Sequence, residues 1–82
     1  MVTVRYFGAA GAAAGLAEEQ VQVPDGSSVR HLLRLVQEVH GERLTQVMGR
    51  CSYLLDEVAV RDLDRVLGPD STLDVLPPFA GG

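Results

Sequence analysis

The chain has 82 residues, 46% of them hydrophobic and 22% charged, which describes one foldable domain and excludes a disordered one. So short a chain buries only roughly 60% of its unfolded surface and has little room for an enclosed active site. A formal charge of -4 with no cluster of basic residues excludes a sequence-independent grip on nucleic acid or an anionic membrane, and suits basic protein partners.

Cys51 stands alone, so no internal disulfide and no CxxC metal or redox motif can form. No apolar stretch approaches the roughly 20 residues of a bilayer span, and no charged n-region precedes a secretory h-region. The cytoplasm is the expected compartment.

Val2-Thr3-Val4-Arg5-Tyr6-Phe7 alternates and is rich in β-branched and aromatic residues. It predicts a strand with Val2, Val4 and Tyr6 on one face and Phe7 on the other. The Ala-rich run after it predicts a short helix stopped by Gly15, and its glycines match neither GxGxxG nor the Walker pattern. Residues 19–23 alternate again and are expected to pair antiparallel with the first strand, before Pro24-Asp25-Gly26 turns the chain.

Ser28 is a suitable N-cap for the one strong helix. In it Val29, Leu32, Leu33, Val36 and Val39 recur at helical spacing and leave Arg30, His31, Arg34, Gln37 and Glu38 outside; Gly41 supplies the stop. A further turn or two carries Leu44, Val47 and Met48 into a strand at 51–55 and a short one at 57–60. Residues 62–67 read as 3₁₀-helix or loop. Gly68-Pro69-Asp70-Ser71 then turns into a last strand, 72–76.

Strands at both ends with one dominant amphipathic helix between them predict an α+β domain, a mixed sheet wrapped on one helix in the β-grasp arrangement. The domain is expected over 1–76 and an extended, flexible tail over 77–82. Pro77-Pro78 ends the last strand, because consecutive prolines cannot donate to a ladder and favour an extended conformation. Fully extended, the tail spans on the order of 20 Å at ~3.3–3.6 Å per residue, long enough to enter another protein. Gly81 and Gly82 carry no Cβ, so the terminal carboxylate can pass a narrow channel and be approached from either side.

Leu76-Pro77-Pro78-Phe79-Ala80-Gly81-Gly82 resembles the PPxxGG ending of the ubiquitin-like MoaD/ThiS sulfur-carrier family, specifically of molybdopterin synthase small subunits. Val4-Arg5-Tyr6-Phe7 followed by the Ala-rich helix, Ser28-Val29 opening the main helix, and the Gly68-Pro69-Asp70 turn are similar to that family as well, so the resemblance covers essentially the whole chain. It implies that the Gly82 carboxylate is adenylated by an activating enzyme that consumes ATP, and is then converted to a thiocarboxylate. It further implies that the tail enters a large subunit and donates sulfur to a pterin precursor of the molybdenum cofactor. Gly81, Ala80, Phe79, Pro78 and Pro77 would thread the partner's channel. The catalytic residues would lie on the large subunit, in a heterotetramer, and this chain would bind no cofactor itself.

Strand parity adds a docking expectation. Leu73 and Val75 share one face and leave Leu76 on the other, as Phe7 lies opposite Val2, Val4 and Tyr6. Phe7 and Leu76, together with Val60, are therefore expected to form an exposed apolar patch at the root of the tail. Cys51 reads as a structural thiol, His31 and His40 as solvated helix residues, and Asp56, Glu57, Asp62 and Asp64 as turn formers; no metal site is expected. Two other readings are a sulfur carrier for thiamin, cysteine or thiolated-tRNA synthesis, and an unreactive β-grasp adaptor. The Ala-rich insertion favours the molybdopterin branch over the thiamin one.

Overall fold

The computed structural model describes residues 1–78; the expected site residues Phe79, Ala80, Gly81 and Gly82 lie outside them. Alternation sets up the first strand, β1 (Val2–Tyr6), in which Val2, Val4 and Tyr6 are buried and Thr3 and Arg5 half-buried. Gly8, at φ +52°, turns the chain into α1 (Gly8–Ala14), which ends at Gly15 in the left-handed region, its N–H bonded to the Gly11 carbonyl. β2 (Glu18–Val21) then pairs antiparallel with β1, Val21 opposite Val2 and Glu19 opposite Val4.

α2 (Val29–His40) is capped as its sequence predicts, the Ser28 hydroxyl accepting the His31 N–H at 3.1 Å. Two further orphan donors of its first turn are satisfied from far along the chain. The Val29 and Arg30 N–H groups donate to the carbonyls of Arg65 and Leu63, at 2.9 and 2.8 Å. Residues 62–67 thus serve as a cap for the helix, held by an isolated bridge between Ser28 and Val66.

Past Gly41 comes α3 (Glu42–Met48), then the hairpin of β3 (Ser52–Leu55) and β4 (Val58–Ala59). Its two-residue loop, Asp56 and Glu57, has both φ angles positive, the type I′ requirement. The last strand, β5 (Thr72–Leu76), lies parallel to β1 and antiparallel to β3. The five-stranded sheet has the order β2-β1-β5-β3-β4, the mixed β-grasp sheet expected.

Val29, Leu32, Leu33 and Val36 of α2 join Val4, Leu73, Val75, Leu44 and Leu55 in one buried cluster. Each such side chain contributes on the order of 1.5–3 kcal/mol by leaving water. Val39 departs from the predicted helix face, being 74% exposed. At about 100° per residue it falls outside the arc spanned by the buried four, whereas His40 falls inside it.

Candidate functional site

The tail leaves from the middle of the sheet, because β5 is flanked by β1 on one side and β3 on the other. The β1–β5 register sets Arg5 opposite Asp74. The Phe7 N–H donates to the Val75 carbonyl at 3.1 Å, which continues that register and places Phe7 opposite Leu76. Both therefore stand on the face turned away from the core: Phe7 is 42% exposed and Leu76 half-buried. The pair predicted from parity is side by side where the tail begins.

Val60 does not belong to that patch. Its N–H bonds to the Tyr53 carbonyl at 2.9 Å, and its side chain packs, partly buried, against the core cluster. With a two-residue loop pairing Leu55 with Val58 and Leu54 with Ala59, Val60 takes the parity of Tyr53 and Leu55, which is the inner one.

Beside Phe7 the outer face carries an ion pair that the sequence reading missed. Arg5 donates through Nε and Nη2 to both carboxylate oxygens of Asp74, at 2.6 and 2.9 Å, and its guanidinium carbon lies 5.6 Å from the Phe7 ring centroid. Asp74 is buried, and its hydrogen bond and charge raise the Arg5 guanidinium above its usual range. The signal was a carboxylate at an outward position in an otherwise apolar central strand, which needs a cation on a neighbouring strand.

Pro77 and Pro78 border a shallow groove of about 380 Å³, together with Ala9 of α1, Gln46 and Val47 of α3, and Arg50. Gly8 abuts this point, since a Cβ on it would lie 3.8 Å from the Pro77 ring. Cys51 is half-buried and donates its S–H to the Val47 carbonyl, while burial pushes its thiol up. That is the structural thiol expected. The carboxylates of the 56–64 stretch mostly build turns. Asp56 accepts the Thr72 N–H, Asp62 accepts the Asp64 N–H, and Asp64 pairs with Arg30.

His31 is exposed, as expected. His40 is not a solvated residue: it bonds through Nε2 to Glu19, which also accepts the Tyr6 hydroxyl at 2.7 Å, and its side chain is 14% exposed. Burial first, then the bond to Glu19, pushes the Tyr6 phenol well above its usual range. Among the described residues no group of three or more His, Cys, Asp or Glu side chains is placed to hold a metal ion. No helix among them is long and apolar enough to cross a membrane.

A sequence model described as the ThiS family matches residues 4–82. The chain is 29% identical over 82 residues to the molybdopterin synthase sulfur carrier subunit of Chlamydomonas reinhardtii, covering 99% of this chain and 98% of that protein. Among solved structures, it is similar to one chain of the complex of subunits 1 and 2 of molybdopterin-converting factor from Helicobacter pylori (TM-score 0.74, 25% identity, 99% of this chain and 97% of that one). SAMP1 from Haloferax volcanii shares the fold, with a TM-score of 0.86 at 21% identity over 99% of this chain and 98% of its own.

Proposed function

The chain belongs to the ThiS family, and from that premise we propose that it is a sulfur carrier working through the Gly82 carboxylate, as the small subunit of a molybdopterin synthase. The observation that carries the reading is the placement of Phe7 and Leu76 beside Pro77, where a central strand hands the chain to a Gly-Gly ending. The named function of the Chlamydomonas relative and the two-subunit complex of the Helicobacter structure support it.

In this reading an activating enzyme uses ATP to join AMP to the Gly82 carboxyl, releasing pyrophosphate. A sulfur nucleophile then displaces AMP to leave a thiocarboxylate. The exposed Phe7 and the half-buried Leu76 dock against the large subunit, Pro77 and Pro78 aim the tail, and Phe79, Ala80 and Gly81 occupy its channel. The large subunit supplies the catalytic residues for transfer of sulfur to the pterin precursor, within a heterotetramer in the cytoplasm. This chain holds no cofactor of its own.

The test is the intact mass of the C-terminal peptide after incubation with ATP, a sulfur source and the activating enzyme. Replacement of one oxygen by sulfur, confined to Gly82, is expected. No change of mass under conditions that load a known carrier would sink the reading.

A further inference from the structure

All the residues of the lysine–arginine class in these 82 are arginine: Arg5, Arg30, Arg34, Arg43, Arg50, Arg61 and Arg65, with no lysine. The distinction is one of nucleophilicity. A lysine amine with a pKa of about 10.4 is neutral for roughly one molecule in a thousand near neutral pH, enough to attack an activated acyl group. A guanidinium keeps its proton and does not.

Position 50 is where this matters most. Arg50 is exposed and lines the groove with Pro77 and Pro78. Ser52 pairs antiparallel with Leu76, so Arg50 and Cys51 run alongside the start of the tail. The four residues after Pro78 span at most about 14 Å at ~3.3–3.6 Å each, so by chain length alone the Gly82 carboxyl can lie no further than that from Pro78, which borders the same groove as Arg50.

Two neighbouring nucleophiles, Cys51 and Tyr53, are already engaged. The Cys51 S–H donates to the Val47 carbonyl at 3.3 Å and its thiol is pushed up by burial. The Tyr53 hydroxyl donates to the Met48 carbonyl at 3.1 Å, and burial pushes that phenol up to about 12. The α-amino group of Met1 donates to the Pro69 carbonyl, at the far end of the parallel β1–β5 ladder from Pro77.

Resting on the reading of Gly82 as an activated acyl donor, we infer that Arg50 is a specificity-determining residue, a cation beside the tail that cannot compete with sulfur for the activated carboxyl. A lysine there would attack the acyl carbon through its neutral amine and form an amide. The activating group would depart with the amine's proton, as AMP from an adenylate or as a thiol from a thioester. With arginine throughout, the chain gives up its acyl group to sulfur, or to an amine of another protein, and does not accept it on its own side chains.

The test uses the full chain prepared with Gly82 as a 2-mercaptoethanesulfonate thioester, held near pH 8 and followed by intact and fragment mass. The wild-type thioester is expected only to hydrolyse to the free acid. Arg50→Lys is expected to give in addition a monomer lighter than the free acid by one water, with fragments joining residue 50 to Gly82. Arg30→Lys, whose site lies beside Asp64, is expected to give no such monomer. A side-chain amide in the wild type, or hydrolysis alone for a folded Arg50→Lys, overturns the inference. The thioester needs no activating enzyme, so failure of ATP-dependent loading counts against the proposed function alone.

Discussion

Arg5 and Asp74 face each other across the parallel β1–β5 ladder, joined by two hydrogen bonds, yet they are unequally exposed: 43% of the Arg5 side chain meets solvent against 7% for Asp74. Removing either partner therefore strands a different group. A stranded guanidinium rehydrates, whereas a stranded carboxylate stays in the sheet without its donors. Arg5→Ala is expected to lower the urea midpoint near neutral pH more than Asp74→Ala does. Equal losses, or the reverse order, would show that the pair is not what holds this part of the outer face.

Phe7→Asp and Leu76→Asp are each expected to weaken binding to the large subunit by roughly ten- to a hundredfold while leaving the isolated domain folded, as loss of a central apolar anchor does. Val60→Asp is expected to do something else. Its side chain packs on the core, so the charge should lower thermal stability, by about 1–3 kcal/mol. Calorimetric titration beside a thermal melt separates the two effects.

Alkaline pH should unfold the domain in a particular window. Tyr6 and Tyr53 both hold their phenol protons more tightly folded than unfolded, Tyr53 to about 12. Above the unfolded value of about 10 the unfolded chain has lost protons that the native one keeps, so stability falls as pH rises from there. Below that value the contribution is fully present. Because no lysine titrates in this range, denaturant midpoints between about pH 9 and 12 should report mainly the two tyrosines and the Cys51 thiol, which burial shifts in the same direction, and Tyr53→Phe should flatten the slope. An unchanged slope in both Tyr53→Phe and Tyr6→Phe would contradict this assignment.

Glu57 occupies a left-handed position, φ +70°, next to Asp56 at φ +49°. Asp56 has a compensating role: its side chain accepts the Thr72 N–H and its own N–H bonds the Thr72 carbonyl, each at 2.9 Å. Glu57→Gly would give the Asp-Gly sequence that type I′ turns favour. It is expected to stabilise the domain by about 0.5–1 kcal/mol, the left-handed strain relieved less the entropy glycine adds to the unfolded chain. A destabilised variant, read by urea titration, would mean that the glutamate side chain holds the hairpin in some other way.

The fold was legible where a pattern had a period. Strand alternation gave Val2, Val4 and Tyr6 their face and set Phe7 and Leu76 on the other, and the Ser28 cap and Gly41 stop bounded the main helix. What failed were positions where the phase, not the period, decides. Val39 and His40 are adjacent on one helix, and a rotation of about 100° exchanges which of them faces inward. An apolar residue invites the inward assignment, but His40 takes it because Glu19 and Tyr6 satisfy its ring. Val60 failed for a related reason, since its face follows from counting back across a two-residue loop to Tyr53. The Arg5–Asp74 pair needed the register of two strands that are 69 residues apart in sequence, which no local pattern contains.

The placement of β5 between β1 and β3 ties completion of the sheet to the synthesis of residues 72–76. Until residues 72–76 have emerged from the ribosome, the β2-β1 pair and the β3-β4 hairpin have no strand between them. Val4 and Leu55 lack Leu73 as a neighbour, and Phe7 lacks the strand that sets it beside Leu76. A prematurely ended chain can build neither the hydrophobic core nor the face at the root of the tail.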